Sequence, residues 1–194
     1  FAYDVTNRRT DVINGLGQQW SYFYDAANQL TQVLTPAVNG QRLSTRYEYD
    51  AIGNVISITD GRGNSVTYQY DAKGNRTLER DALGNTVTRF YSATNRLLND
   101  SRYTTPATFS NGAWSNPPVS TARTMRYAYD ANNRLRYAVD ETGMVTEHRY
   151  NTSGLRSQAI TYTDGAMSVS GLRPTDVLTE AQLNSWVAAR DKTQ

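Results

Sequence analysis

The sequence predicts an all-β chain built from repeated antiparallel hairpins, with one short helix near its end. Three observations carry this. The phrase Tyr-x-Tyr-Asp recurs, at Tyr22-Phe23-Tyr24-Asp25, Tyr47-Glu48-Tyr49-Asp50, Tyr68-Gln69-Tyr70-Asp71 and Tyr127-Ala128-Tyr129-Asp130, with Phe1-Ala2-Tyr3-Asp4 as a variant and weaker copies ending at Tyr91-Ser92 and Tyr150-Asn151. The spacing is regular: the residues after the last tyrosine stand at 4, 25, 50, 71, 92, 130 and 151, a unit of 21 with one insertion of 4 and one of 17. A fixed period of this length is the mark of a repeat architecture, with insertions placed in loops. Third, a turn signal recurs inside each unit, so that Asn14, Asp60, Asp81 and Asp140 follow ten residues after Asp4, Asp50, Asp71 and Asp130.

The turns explain the hairpins. Eleven four-residue segments begin at Asp4, Asn14, Asp25, Asp50, Asp60, Asp71, Asp81, Ser92, Asp130, Asp140 and Asn151. Their fourth residues are Asn7, Gly17, Asn28, Gly53, Gly63, Gly74, Gly84, Asn95, Asn133, Gly143 and Gly154. Gly and Asn are the residues that most readily take a positive φ. Asp, Asn or Ser in first place can accept from the amide two residues on, as in a type I turn. A type I turn followed by a left-handed residue closes a three-residue hairpin loop with a bulge. Between turns, Val66, Tyr68 and Tyr70 alternate with Thr67 and Gln69, and Ile56 and Ile58 flank Ser57. That period of two suits half-buried strands. Fourteen strands, about 4.8 Å apart, would extend roughly 65 Å, a long curling sheet with one ordered, Tyr-rich face.

Three segments leave the rhythm. Thr35–Gln41 contains Pro36 and Asn39-Gly40, a longer turn. Residues 104–121 form a loop excursion with Pro106, Phe109, Asn111-Gly112, Trp114 and Pro117-Pro118. Trp114 is expected to fold back over the sheet, with ligand contact as the alternative. In the tail, Thr179-Glu180-Ala181-Gln182 is a capping box, with Leu178 and Leu183 at the staple positions. An amphipathic helix over about 180–190 follows, its Leu183, Trp186 and Val187 packing on the sheet or a neighbouring unit. The organisation is thus a hairpin array over 1–160 and an interruption over 161–194.

Composition limits the function classes. Hydrophobic residues make up only 38% of the chain and Tyr (14) outnumbers Phe (4), which argues against a thick aliphatic core. The net charge of +2, spread along the chain, carries no basic stripe for nucleic acid. No apolar run approaches a membrane span, so no membrane insertion by this segment is expected. The absence of Cys removes disulfides and thiolate metal sites. The many Asp residues are needed by the turns, and neither a calcium β-roll nor an EF-hand pattern is present. His148, the single His, fills a tyrosine slot before Tyr150. No catalytic constellation stands out, so no enzyme activity, cofactor or metal is expected. The remaining candidates for ligand or partner contact are Trp114 and the first tyrosines of the repeats, Tyr22, Tyr47, Tyr68 and Tyr127. Cross-strand packing is their ordinary role, and a sugar-stacking surface for glycans or cell adhesion is the alternative.

The motif Tyr-x-Tyr-Asp-x-x-Gly-Asn, followed ten residues later by Asp-x-x-Gly-Asn, resembles the YD repeat of Rhs proteins. Asp50-Ala51-Ile52-Gly53-Asn54 with Asp60-Gly61-Arg62-Gly63-Asn64, and Asp71-Ala72-Lys73-Gly74-Asn75 with Asp81-Ala82-Leu83-Gly84-Asn85, carry the resemblance most clearly. It covers residues 1–160 apart from the loop after Tyr103. The family includes bacterial Rhs polymorphic toxins, cocoon subunits of Tc toxin complexes and animal teneurins. The resemblance implies hairpins that spiral into part of a β-shell, around a cytotoxic effector in the toxins and as an adhesion scaffold in teneurins. It also implies a bacterial secreted or surface location, and partners in the rest of a parent chain and an enclosed effector domain. Trp186–Asp191 resembles the helical interruptions of very large bacterial Rhs-type proteins. The Asp-Pro motif that closes the Rhs toxin shell is missing. A first turn that is already regular suggests a segment of a longer array, and exposed sheet edges suggest edge-to-edge self-association unless the tail helix covers one.

Overall fold

The computed structural model describes residues 1–6 and 8–190. Contacts divide the chain into two compact units, one ending at Leu83 and the other beginning at Gly84. The first holds eight strands, each antiparallel to the next: β1 (Ala2–Tyr3), β2 (Arg9–Ile13), β3 (Gln19–Tyr24), β4 (Leu30–Leu34), β5 (Ser44–Tyr49), β6 (Val55–Thr59), β7 (Ser65–Tyr70) and β8 (Arg76–Arg80). The second holds six more in the same manner: β9 (Thr86–Tyr91), β10 (Leu97–Tyr103), β13 (Ala122–Tyr129), β14 (Leu135–Val139), β15 (Val145–Tyr150) and β16 (Arg156–Tyr162). A separate small hairpin, β11 (Phe109–Ser110) and β12 (Ala113–Trp114), lies in the excursion between β10 and β13. A helix, α1 (Glu180–Ala188), closes the described chain. Among the described residues the chain is all-β apart from α1 and a 3-10 turn at Val119–Thr121. No described helix is long and apolar enough to cross a membrane.

The turn rule holds wherever it can be examined. Gly17, Asn28, Gly53, Gly63, Gly74, Gly84, Asn95, Asn133, Gly143 and Gly154 all have φ between +62° and +93°. The eleventh, Asn7, lies outside the described residues. After a Tyr-x-Tyr strand the register slips by one at the second tyrosine, as between Phe23 and Tyr24, Glu48 and Tyr49, Gln69 and Tyr70, Ala128 and Tyr129, and Arg149 and Tyr150. The turns at Asn14, Asp60 and Asp140 have the same left-handed fourth residue and no such slip, so this β-bulge goes with the Tyr-x-Tyr strand and not with the turn.

The buried face of the second unit is the one opposite the paired tyrosines. Arg126 and Ala128 are buried and alternate with the half-buried Tyr127 and Tyr129. The register carries that face across the strands: Arg126 faces Val139, Val139 faces Val145 and Val145 faces Tyr162. Residues after Tyr162 cross this face, and Leu178, Leu183 and Val187 join Ala128, Tyr137, Val139, Val145 and Tyr162 in one apolar core. Trp186 meets Tyr162 edge to face at 5.7 Å, a favourable aromatic geometry. The tail helix therefore covers a sheet face and joins no sheet edge. The expected Tyr-rich face is only half-buried in these strands, because the tail folds onto the other side.

Local chemistry explains α1. Thr179 accepts from the Gln182 amide, and the Gln182 side chain accepts from the Thr179 amide at 2.8 Å, the reciprocal cap read in the sequence. Tyr137 hydroxyl donates to Asn184 Oδ1 at 2.7 Å. The segment before the helix is held by side chains of the buried face. Asn99 donates to the carbonyls of Pro174 and Asp176, and Arg126 donates to those of Leu172, Arg173 and Asp176.

Both excursions of the second unit dock on a turn glycine. The Ala107 amide donates to the Gly84 carbonyl at 2.9 Å, and the Met167 amide to the Gly143 carbonyl at 2.8 Å. A Cβ at Gly84 would lie 2.1 Å from the Ala107 oxygen, and one at Gly143 would lie 2.0 Å from the Met167 oxygen. These glycines thus serve twice, for their backbone conformation and for the close approach of a second segment. Gly143→Ala is expected to cost roughly 1–2 kcal/mol from the left-handed backbone and roughly 1–3 kcal/mol more from the steric overlap. Gly154→Ala, where the nearest atom to an added Cβ is 3.9 Å away, should show the first cost alone. Urea denaturation of the two variants checks the difference.

Candidate functional site

The feature repeated most faithfully is a junction between consecutive repeats, built from one turn and one tyrosine. In the turn, the first residue's side-chain oxygen accepts two backbone amides. Asp50 Oδ1 takes those of Ile52 and Asn54 at 3.0 and 2.9 Å, Asp60 those of Arg62 and Asn64, Asp71 those of Lys73 and Asn75, and Asp130 those of Asn132 and Arg134. Asn14 and Ser92 do the same with neutral oxygens. The second carboxylate oxygen is taken by the fifth residue of the turn. Asn54, Asn64 and Asn75 donate their amides to it at 2.8 to 3.0 Å, and Arg134 donates its guanidinium at 2.8 Å. Three hydrogen bonds on one carboxylate favour its ionised form.

The second tyrosine of each pair reaches back to the previous repeat. Its hydroxyl donates to the carbonyl of the fifth residue beyond the previous repeat's turn-opening residue. Tyr24 bonds Arg9, Tyr49 bonds Leu30, Tyr70 bonds Val55, Tyr129 bonds Leu97 and Tyr150 bonds Leu135, at 2.7 to 3.1 Å. Where the fifth turn residue is Arg, its guanidinium also lies over that same ring: Arg8 over Tyr24, Arg96 over Tyr129 and Arg134 over Tyr150, at 4.5 to 5.3 Å from the centroid. Burial pushes the Tyr49 and Tyr129 hydroxyls above the ordinary phenol range.

The sequence-predicted contact residues are placed differently from one another. Tyr22, Tyr47, Tyr68 and Tyr127 are half-buried in their strands. The residues directly opposite them on the next strand are Val33, Ile58, Glu79 and Ala138, so the ladder interleaves tyrosines with other side chains. Tyr68 carries the Arg76 guanidinium 4.2 Å above its ring. Trp114 is half-buried and packs on Phe109 at 5.2 Å, and its ring edge would lie 3.1 Å from a Gly84 Cβ. Tyr22, Tyr47 and Tyr68 belong to the first unit, and Trp114 and Tyr127 to the second.

One polar cluster escaped the sequence reading. Glu147 is buried, and it accepts from Arg136 at 2.5 Å, from Arg149 at 3.0 Å and from the Tyr162 hydroxyl at 2.8 Å. Burial raises the Glu147 carboxyl, and these hydrogen bonds with the two guanidinium charges outweigh it, holding the group below its usual range. It is therefore an ionised structural anchor. The signal lay in the alternation of Val145, Glu147 and Arg149 within one strand. His148, on the next position, is lowered by burial first and then by the Arg156 charge, so it is neutral at pH 7. Among the described residues no group of three or more His, Cys, Asp or Glu converges as for a metal ion.

The RHS repeat family model matches at residues 3–37, 24–64 and 49–86. Residues 3–86 are RHS repeats. The turns at Asp130, Asp140 and Asn151 and the hydroxyl bonds of Tyr129 and Tyr150 keep the RHS-repeat geometry beyond the matched span. No curated protein matches the chain by sequence. Among solved structures, the chain is similar to a crystal structure of TcdB2-TccC3, with 14% identity and a TM-score of 0.39, over 77% of this chain and 11% of that one. It is also similar to the Photorhabdus luminescens Tc holotoxin pore, with 15% identity and a TM-score of 0.37, over 81% and 12%. A third likeness is to a porin-like protein from Bacteroides uniformis, with 16% identity and a TM-score of 0.25, over 78% and 92%. The chain spans about a tenth of the length of the Tc chains it matches.

Two measurements follow from the junction. Tyr49→Phe deletes the bond to the Leu30 carbonyl and should cost about 1 kcal/mol, while Tyr47→Phe should cost less; urea denaturation separates them. The carboxyls of Asp50, Asp60 and Asp71 are lowered from 3.8, first by the Asn54, Asn64 and Asn75 side chains. A carboxyl depressed in the folded state contributes stability that is present above the unfolded value and lost as pH falls through the folded one. The melting temperature should therefore hold from neutral pH to about pH 5 and fall below about pH 4. Asp60→Asn, which keeps an acceptor as Asn14 does, should make that fall shallower in a thermal scan series.

Proposed function

We propose that this chain is a wall segment of a larger secreted or surface RHS-repeat protein of bacterial type, part of a β-shell that encloses or presents a toxin or effector domain. The observation that carries the reading is the junction itself. Turn carboxylates close each hairpin and tyrosine hydroxyls join one repeat to the next, so the chemistry of the repeat goes into continuity of a wall. The RHS-repeat match supports this, as does the resemblance to Rhs and Tc cocoon proteins carried by the motif. Mechanically, a sheet whose hairpins are joined by tyrosine bonds at five of these periods leaves few gaps through which a protease or a water-soluble partner can pass. Enclosure then works by exclusion, and activity belongs to the enclosed domain.

The test is made on the parent protein. Limited proteolysis of the intact protein should leave its neighbouring effector domain uncut under conditions that cleave the isolated domain. Deleting residues 1–162 should open that domain to cleavage. A parent chain without further RHS repeats, or a neighbouring domain cut equally fast with and without the segment, would overturn the reading.

A further inference from the structure

The hydroxyl acceptors form a series. Counting five residues on from Asp4, Asp25, Asp50, Ser92 and Asp130 gives Arg9, Leu30, Val55, Leu97 and Leu135, whose carbonyls each receive a tyrosine from the following repeat. The same count from Asn151 gives Arg156, the first residue of β16. β16 pairs with β15 on one side and ends the strand order on the other. Residues Arg156 to Ala159 are exposed. The edge carries one cation, Arg156, and no Pro, so the usual protections of an edge strand are sparse.

An internal precedent shows what completes such an edge. β10 (Leu97–Tyr103) has the same seven-residue length as β16 (Arg156–Tyr162), and both end in Tyr. Both lead into an excursion, and each excursion docks on the glycine of an earlier turn, Ala107 on Gly84 and Met167 on Gly143. After the first excursion the chain returns as β13, a Tyr-x-Tyr strand that pairs with β10 from Asn99↔Arg126 to Tyr103↔Ala122. Its second tyrosine, Tyr129, then bonds the Leu97 carbonyl at 2.8 Å.

We infer that the free edge of β16 is a docking site for a strand ending in Tyr-x-Tyr-Asp from a further YD repeat, with the second tyrosine's hydroxyl on the Arg156 carbonyl. The backbone ladder supplies the affinity, as in other cases of strand addition to a sheet edge. The hydroxyl sets the register, because a slip of one residue turns every side chain to the opposite face. A second copy of this chain fits less well. Its own edge strand of this type, β1, has only Ala2 and Tyr3 in the sheet, whereas β13, which covers the corresponding edge of β10, runs for eight residues. The inference needs only the strand geometry, so its failure would leave the shell proposal standing.

Hydrogen exchange tests it on the intact chain. The probe is a synthetic peptide with the sequence of residues 122–130, and its control carries Phe in place of the second tyrosine. At about millimolar peptide, the scale of effective concentration that short tethers provide, exchange should slow at 156–162 and be unchanged at 97–103. The control peptide should bind about three- to ten-fold more weakly, the loss expected for one hydrogen bond. No slowing at 156–162, or equal slowing by the two peptides, would overturn the assignment. So would slowing that needs no peptide and grows with chain concentration, since it would give the edge to a second copy.

Discussion

Everything regular in this chain depends on one small contact, a side-chain oxygen that accepts two backbone amides at the head of a turn. That oxygen fixes the first three turn residues, and a left-handed fourth residue completes the reversal. Each turn then returns the next strand antiparallel to the last, with a one-residue bulge where the incoming strand is of the Tyr-x-Tyr type. Because the contact is local, it forms without help from a core. This suits a chain in which only 38% of residues are hydrophobic. Long-range order is added afterwards, by the tyrosine that returns to the previous repeat.

The two layers of contact divide the work. The carboxylate sets the geometry of a single hairpin, and the hydroxyl sets the geometry between hairpins. A tyrosine suits the second task because its ring is rigid and apolar while its tip is polar. Phenylalanine could fill the same volume and would leave the carbonyl of the earlier strand without that donor. The Arg residues at fifth turn positions connect the layers. Arg134 holds the Asp130 carboxylate with its Nε and covers the Tyr150 ring with its plane. A lysine, with a point charge in place of a planar fork, would do only one of these.

Much of the fold was legible because it is written in residue types. Gly or Asn at fourth positions announces a positive φ, and Thr179 with Gln182 announces a helix cap. The tyrosine bond was not legible, since its acceptor is a backbone carbonyl and any residue can supply one: Arg9, Leu30, Val55, Leu97 and Leu135 share no side-chain property. The choice of buried face was also hidden. It depends on where the residues after Tyr162 lie, and on the burial of Asn99, Arg126 and Glu147, polar residues whose partners are a distant loop or other strands. Trp114 packs on Phe109 and lies beside Gly84, a close approach that no spacing in the sequence reveals.

The docking of Ala107 on Gly84 and of Met167 on Gly143 bears on how such proteins diversify. A bare glycine at a turn offers a carbonyl and an empty flank to whatever segment emerges nearby. New loops can then be spliced between strands and find a ready anchorage, without rewriting the strands that carry the wall. A repeat of this kind is open to lengthening and to decoration at once, and the glycine that began as a hinge of the backbone becomes a port for additions.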